Sequence, residues 1–274
     1  MVLQRQKLPG VEHVVAIASG KGGVGKTTIT VNLALALQQA GSRVGVFDAD
    51  VYGPNVPLRL GIHQRRQRRE SYVPVARPAQ MLPTVPPLER FGLKLMSTGL
   101  LMGEEQVINP PPDAVGQMVV QTLRDVDWRP LDVLLLDLPP SAGQPQEDLL
   151  RYIRMSGVVI VTTPQDLSLL DAGRSLHLFK QAGVPILGIV ENMSYFICPD
   201  CGGQHEIFQR SERWRPAALA GAPIFGRIPL TPAISQSINR ANPLVHEQPD
   251  SHQAAAFRDI AARLQELLAS PPTL

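Results

Sequence analysis

Residues 11–28 read VEHVVAIASGKGGVGKTT: an apolar run, a glycine-rich turn, then the start of an amphipathic stretch over 26–40. Within it Gly20, Lys21, Gly22, Gly23, Val24, Gly25, Lys26 and Thr27 fit G-x-x-x-x-G-K-[ST], with Thr28 following. Each residue type has a chemical reason. Glycines let successive backbone N–H groups turn inward around phosphate oxygens, and the helix that follows adds the positive end of its dipole. Lys26 would reach the β- and γ-phosphates, and the Thr27 hydroxyl would ligate Mg²⁺. Strand, loop and helix signals agree with the eight-residue pattern, so the stretch predicts a nucleotide phosphate site at the end of a strand.

Outward from this loop, short β-branched runs alternate with amphipathic stretches. Strands are predicted at His13–Ala18, Arg43–Phe47, Leu93–Ser97, Val133–Asp137, Gly157–Thr162, Pro185–Val190 and Ile224–Arg227. Helices are predicted at Lys26–Ala40, Asp113–Asp125, Gln146–Met155, Leu167–Gln181, Thr231–Arg240 and Ser251–Ala269. Strands apolar on consecutive positions are covered on both faces. The fold class expected is α/β: a mostly parallel sheet with helices on both faces, a P-loop NTPase of the deviant Walker A type. The 274 residues, 44% hydrophobic and 18% charged, fit one domain over 1–274. Residues 61–90, with Arg65, Arg66, Arg68 and Arg69, read as a solvated surface excursion, and 195–206 as a turn-rich loop.

Composition excludes several classes. With 26 Lys+Arg against 24 Asp+Glu, the net charge of +2 gives no bulk attraction to nucleic acid or membrane. No apolar run approaches the roughly 20 residues of a transmembrane helix, and MVLQRQKLPGVEH lacks a signal-peptide core. A soluble, cytoplasmic protein is the expectation.

Two acidic positions follow strand ends, where an open α/β sheet places its ligand. Asp137 reads as the residue holding Mg²⁺ through water. Asp50 is the candidate to position or deprotonate the attacking water, and Asp48 to support the metal shell. The two cysteines, Cys198 and Cys201, are spaced C-x-x-C within NMSYFICPDCGGQHEIF. That spacing admits half a zinc site, a redox dithiol or half an iron–sulfur site. The surrounding turn residues favour a metal-holding knuckle. His205 could be a third ligand, and no fourth is evident. Two copies meeting on a twofold axis would supply four thiolates.

The loop form KGGVGKT, with its extra Lys21, is similar to that of the Min and Par ATPases and the nitrogenase iron protein. This resemblance implies that Lys21 reaches across a dimer interface to the partner's nucleotide. The combination of GVEHVVAIASGKGGVGKTT, DADVYGPN (48–55), DLPP (137–140), TTPQDLSLLDAGR (162–174), ENMSYFICPDCGG (191–203) and FGRIPLTPAI (225–234) resembles the Mrp family of iron–sulfur cluster carrier ATPases across nearly all of 11–240. The resemblance implies a homodimeric ATPase using ATP and Mg²⁺. It would bind a labile 4Fe–4S cluster between subunits, accept it from assembly scaffolds and pass it to apoproteins. It also implies adenine recognition near Asn192 and Pro229. Many bacterial members carry a small N-terminal domain, which is not expected here.

Two departures stand out. Pro139-Pro140-Ser141-Ala142-Gly143-Gln144 replaces the family's PPGTGD, so an amide, Gln144, stands for a carboxylate. Asn109-Pro110-Pro111-Pro112-Asp113 replaces a WRGP-like segment. Both bear on hydrolysis rate more than on binding. The alternatives are a Par- or Min-like positioning ATPase and a zinc-stapled dimeric ATPase. The balanced charges of the last helix, Arg258 and Arg263 against Asp259 and Glu266, argue against a membrane-binding form.

Overall fold

A computed structural model describes residues 5–62, 85–100, 112–140, 143–198, 200–208 and 221–270. The arginine cluster at 65–69, Asn109–Pro111, and Ser141 and Ala142 lie outside them. Ten strands are present among the described residues: β1 (Val11–Ala18), β2 (Val44–Asp48), β3 (Leu88–Arg90), β4 (Leu93–Ser97), β5 (Leu131–Asp137), β6 (Gly157–Thr162), β7 (Ile186–Glu191), β8 (Phe196–Ile197), β9 (Gln204–His205) and β10 (Ile224–Arg227). The helices are α1 (Lys26–Gln39), α2 (Val56–Arg59), α3 (Pro112–Asp125), α4 (Gln144–Tyr152), α5 (Asp166–Gln181), α6 (Pro232–Asn239), α7 (Leu244–Glu247) and α8 (His252–Ala269).

The main sheet runs β10-β7-β6-β1-β5-β2-β4-β3, parallel throughout except for β3 against β4. Each central strand sends alternate side chains into two cores. Val15, Ile17 and Val46 face α1 and α8, whereas Val14, Ala16 and Phe47 face the layer of α3, α4 and α5. The α/β expectation is therefore met, with both faces covered. β1 sits between β5 and β6 near the middle of the sheet, so the loop leaving it emerges at the carboxyl edge. Register there aligns Asp48 with Asp137 and Ile17 with Asp137, which brings the two predicted acidic positions beside the glycine-rich loop.

Some boundaries differ from expectation. α4 begins at Gln144, two residues early, because Pro145 suits a first helical turn. It stops at Tyr152, since Ile153 turns extended and bridges Gln6. The short elements α2, β3, α7, β8 and β9 have no counterpart among the predicted elements. The last helix buries Phe257, Ile260, Ala261 and Leu264 against the α1 core. Its N-terminus is capped by the Ser251 hydroxyl, which accepts from the Ala254 N–H at 3.1 Å. It therefore packs into the core, and Phe257→Ala should lower unfolding free energy by about 3–5 kcal/mol, read from urea midpoints. No helix among the described residues is long and apolar enough to cross a membrane.

Candidate nucleotide site and cysteine hairpin

The glycine-rich loop is held tightly on two sides. A Cβ on Gly20 would lie 2.1 Å from the backbone carbon of Asp171 in α5, so the loop passes flush against that helix. Gly25 has φ +87° and lies under Asn192, whose Nδ2 would be 2.3 Å from a Cβ there. The Asn192 amide donates to the Val24 carbonyl at 2.8 Å. Gly25 caps α1 without a side-chain hydrogen bond, and no acidic residue occupies the helix's first turn. The first N–H groups thus face the loop without an anionic side chain to neutralise them.

Asp137 is the centre of the site. Its fully buried carboxylate accepts from Lys26 Nζ at 2.8 Å, Thr27 Oγ1 at 2.6 Å and Thr30 Oγ1 at 2.8 Å. Lys26 is 6% exposed, so this is a desolvated ion pair. The Thr27 hydroxyl and the Asp137 carboxylate form a hard oxygen set. Such a set fits a Mg²⁺ that keeps water and phosphate as its other ligands. Among the described residues, no cluster of three His, Cys, Asp or Glu offers a full protein cage for a metal ion.

Asp48 faces inward. One oxygen accepts the Asp50 N–H at 3.2 Å; the other accepts the Val56 N–H at 3.1 Å and the Ser97 hydroxyl at 3.0 Å. It thereby fixes the loop to α2. Burial, and then the nearby charge of Asp137, push its pKa from 3.8 up to about 7. The folded chain therefore holds a proton here that the unfolded chain releases above pH 3.8. This group's contribution to stability falls as pH rises from about 4 to about 7. Asp48→Asn should be less stable than the wild type, with a gap that narrows over that range in thermal melts. A gap that stays constant would contradict the shift.

Asp50 is half-buried at the mouth of the site, and its Oδ1 accepts the Gly53 N–H at 3.1 Å. Burial raises its pKa, opposed by the positive charge of Lys26. Lys21 is partly exposed and makes no ion pair with the described residues. Its carbonyl accepts the Ser19 hydroxyl at 3.0 Å. Gly22 and Gly23 are exposed, and Thr28 is buried. Gln144 turns along its own helix, with Nε2 3.5 Å from Asp148 Oδ1, while Asp148 Oδ2 is buried without a hydrogen-bond partner.

Sequence reading missed Thr30, Ser97 and Arg59. The Arg59 guanidinium is half-buried; burial lowers its pKa, and the charge of Asp137 raises it. The threonine and serine follow from helix phase and strand register, since Ser97 aligns with Asp48 across β2 and β4. Arg59 had no signal, because α2 is a single turn.

The cysteines lie on a separate two-stranded hairpin, where Phe196 pairs with His205 and Ile197 with Gln204. Between the strands, the Cys198 N–H donates to Gly203 O and the Gly202 N–H to Cys198 O, each at 2.9 Å. Both thiols are free, Cys198 partly and Cys201 fully exposed. The backbone N–H groups of Cys201 and Asp200 point at the Cys198 sulfur and pull its thiol pKa down. Donors of this kind stabilise a thiolate and tune a metal held by it. A Cβ on Gly203 would meet Cys201 Sγ at 3.2 Å and His205 Nε2 at 3.3 Å. Pro229 is buried in the loop after β10, beside the hairpin's base. In that loop the Leu230 N–H donates to Tyr195 O at 2.7 Å.

Known proteins give these features a context. The chain is 38% identical over 270 residues to the iron-sulfur cluster carrier protein of Aquifex aeolicus, covering 97% of this chain and 71% of that protein. It is 38% identical to the iron-sulfur cluster transfer protein NUBPL of Dictyostelium discoideum, over 94% of this chain and 77% of the relative. A nucleotide-binding protein from Archaeoglobus fulgidus, solved in complex with ADP, superposes with TM-score 0.68 at 28% identity, covering 90% of this chain and 92% of that one. The cell division ATPase MinD of Pyrococcus furiosus shares the fold, with TM-score 0.68 at 23% identity over 93% of this chain and 99% of that one. The resemblance to iron–sulfur carriers and the kinship with Min and Par folds are both borne out. A family model described as ParA, NUBPL iron-transfer P-loop NTPase, matches residues 10–265, and the chain belongs to that family.

Proposed function

We propose that the protein is a homodimeric, Mg²⁺-dependent ATPase that carries a 4Fe–4S cluster between the Cys198/Cys201 pairs of two copies and delivers it to apoproteins. The observation that carries this reading is the cysteine knuckle itself. It presents two thiols, one stabilised as thiolate by backbone donors, with no third protein ligand grouped around them among the described residues. A second copy completes four thiolates.

At the nucleotide site, an incoming triphosphate competes for Lys26, which leaves Asp137 for the β- and γ-phosphates. Thr27 and Asp137 are the residues that would hold a Mg²⁺ there. When bound, that ion offsets charge on the phosphate oxygens. Asp50 orients a water for in-line attack on the γ-phosphorus and takes its proton as the bond to the β–γ bridging oxygen breaks, leaving ADP and phosphate. Lys21, which makes no ion pair with the described residues of its own chain, reaches the partner's nucleotide. Pro229 borders the base. Gln144 cannot supply the charge of the family's carboxylate, so turnover is slow; Gln144→Asp should raise kcat by about tenfold to a hundredfold, the equivalent of the roughly 1.5–3 kcal/mol of a hydrogen bond to a charged group.

Anaerobic reconstitution with iron and sulfide tests the carrier reading. The expected product absorbs in the visible cluster bands and transfers the chromophore to an apo-ferredoxin. Uptake of zinc alone, without the chromophore, would refute it and leave a zinc-stapled dimer.

A further inference from the structure

The phosphate loop and the cysteine hairpin are joined by one short piece of chain, residues 192–195. At its near end Asn192 bonds Thr162 O through its backbone N–H and Val24 O through its side-chain amide, both at 2.8 Å. Asn192 thus holds a peptide of the phosphate loop, and Cys198 stands six residues further on. Met193, next in line, has φ +53°. This left-handed backbone is uncommon for a long side chain. The Ser194 N–H then bonds Ile228 O at 2.9 Å, and Phe196 bridges Leu230 at the hairpin's root.

The side chains around this segment close on one buried carboxylate. The Ser194 hydroxyl donates to Glu191 Oε1 at 2.5 Å, and Arg227 Nε lies 3.6 Å from the same oxygen. Glu191 is 2% exposed and Arg227 39%, so the group spans from the core to the surface at the hairpin's base. The Glu191 carbonyl also accepts the Ile228 N–H at 2.9 Å, tying β7 to the loop that carries Pro229.

We propose that Glu191, Ser194 and Arg227 form a clasp that transmits nucleotide occupancy of the phosphate loop to the Cys198/Cys201 pair. A phosphate in the loop draws the Val24 peptide, and Asn192 follows. Met193 is the pivot, and the clasp keeps Ser194 and Tyr195 moving with the hairpin. Without it, the displacement would be absorbed at the pivot. These are positioning residues. The inference rests on the nucleotide-binding reading above and not on the identity of the metal cargo.

The test uses the full chain, metal-free and reduced, and follows alkylation of the two thiols by iodoacetamide with and without Mg-ADP. Binding of a fluorescent ADP analogue is measured in parallel. In the wild type Mg-ADP should change the alkylation rate by about fivefold or more, the lower end of usual coupling between sites. Ser194→Ala should bind the analogue as well as the wild type yet respond by less than about twofold. Arg227→Ala should behave likewise, and Arg227→Lys should restore part of the response. If Arg227→Ala fails to fold, as judged by circular dichroism, Ser194→Ala decides alone, since it removes only a hydroxyl. A wild-type response retained in Ser194→Ala overturns the clasp. A wild type that binds the analogue without any change in thiol rate overturns the coupling itself. A wild type that binds no analogue overturns the nucleotide reading and this inference with it, whereas failure to take up a cluster touches only the cargo.

Discussion

Lys26→Ala should lower ATP affinity at least about a hundredfold, roughly the loss of one fully desolvated charge-assisted contact or more. The substitution removes the cation that, on the proposed reading, meets the β- and γ-phosphates. It also strands Asp137, which is fully buried and, among the described residues, keeps as side-chain partners the hydroxyls of Thr27 and Thr30. Breaking one side of a buried ion pair commonly costs about 3–5 kcal/mol, so the variant should also unfold at lower denaturant concentration. The two effects can be separated. Lys26→Ala combined with Asp137→Asn removes the stranded charge and should recover much of the stability, while nucleotide binding stays lost. Isothermal titration with ATP and urea melts on the three proteins provide the check. Unaltered ATP binding in Lys26→Ala would contradict the site.

Cys198→Ala should abolish cluster retention, with the effect visible as loss of essentially all visible absorption after anaerobic reconstitution and desalting. Cys198 is the thiol whose sulfur receives backbone N–H donors from Asp200 and Cys201. Removing it takes away a thiol whose ionised form is favoured by backbone donors and, in a shared site, two of four ligands at once. Nucleotide binding should be nearly unaffected, because the substitution lies on the hairpin and not in the loop. A Cys198→Ala protein that retains a full cluster would contradict the ligand assignment.

The parts of this molecule that were legible in the sequence share a physical property: they are local. The strand at 13–18, the loop at 20–27 and the helix from Lys26 are consecutive, so spacing alone carried them. Asp137 was legible because it follows the four-residue apolar run 133–136 at a strand's carboxyl end. What could not be read depends on contacts between distant residues or on very short elements. Ser97 reaches Asp48 through the β2–β4 register, and Asn192 reaches Val24 across 168 positions. Family resemblance implies adenine recognition near Asn192, and the fold adds that its amide donates to Val24 O in the loop. α2 is a single turn and β8 and β9 span two residues each, too short for any periodicity. Asp48 illustrates the limit on chemistry. Its place at a strand end makes support of the metal shell an expectation, and only the fold adds that its oxygens accept from Asp50, Val56 and Ser97.

On the proposed reading, the hairpin and the nucleotide loop both call for a working unit of two chains. Native mass spectrometry of the anaerobically reconstituted protein measures this directly. The expected species is two chains with one 4Fe–4S cluster, reverting to cluster-free protein when Cys198 or Cys201 is replaced by alanine. A cluster held by one chain, or a dimer carrying only zinc, would contradict a shared iron–sulfur site.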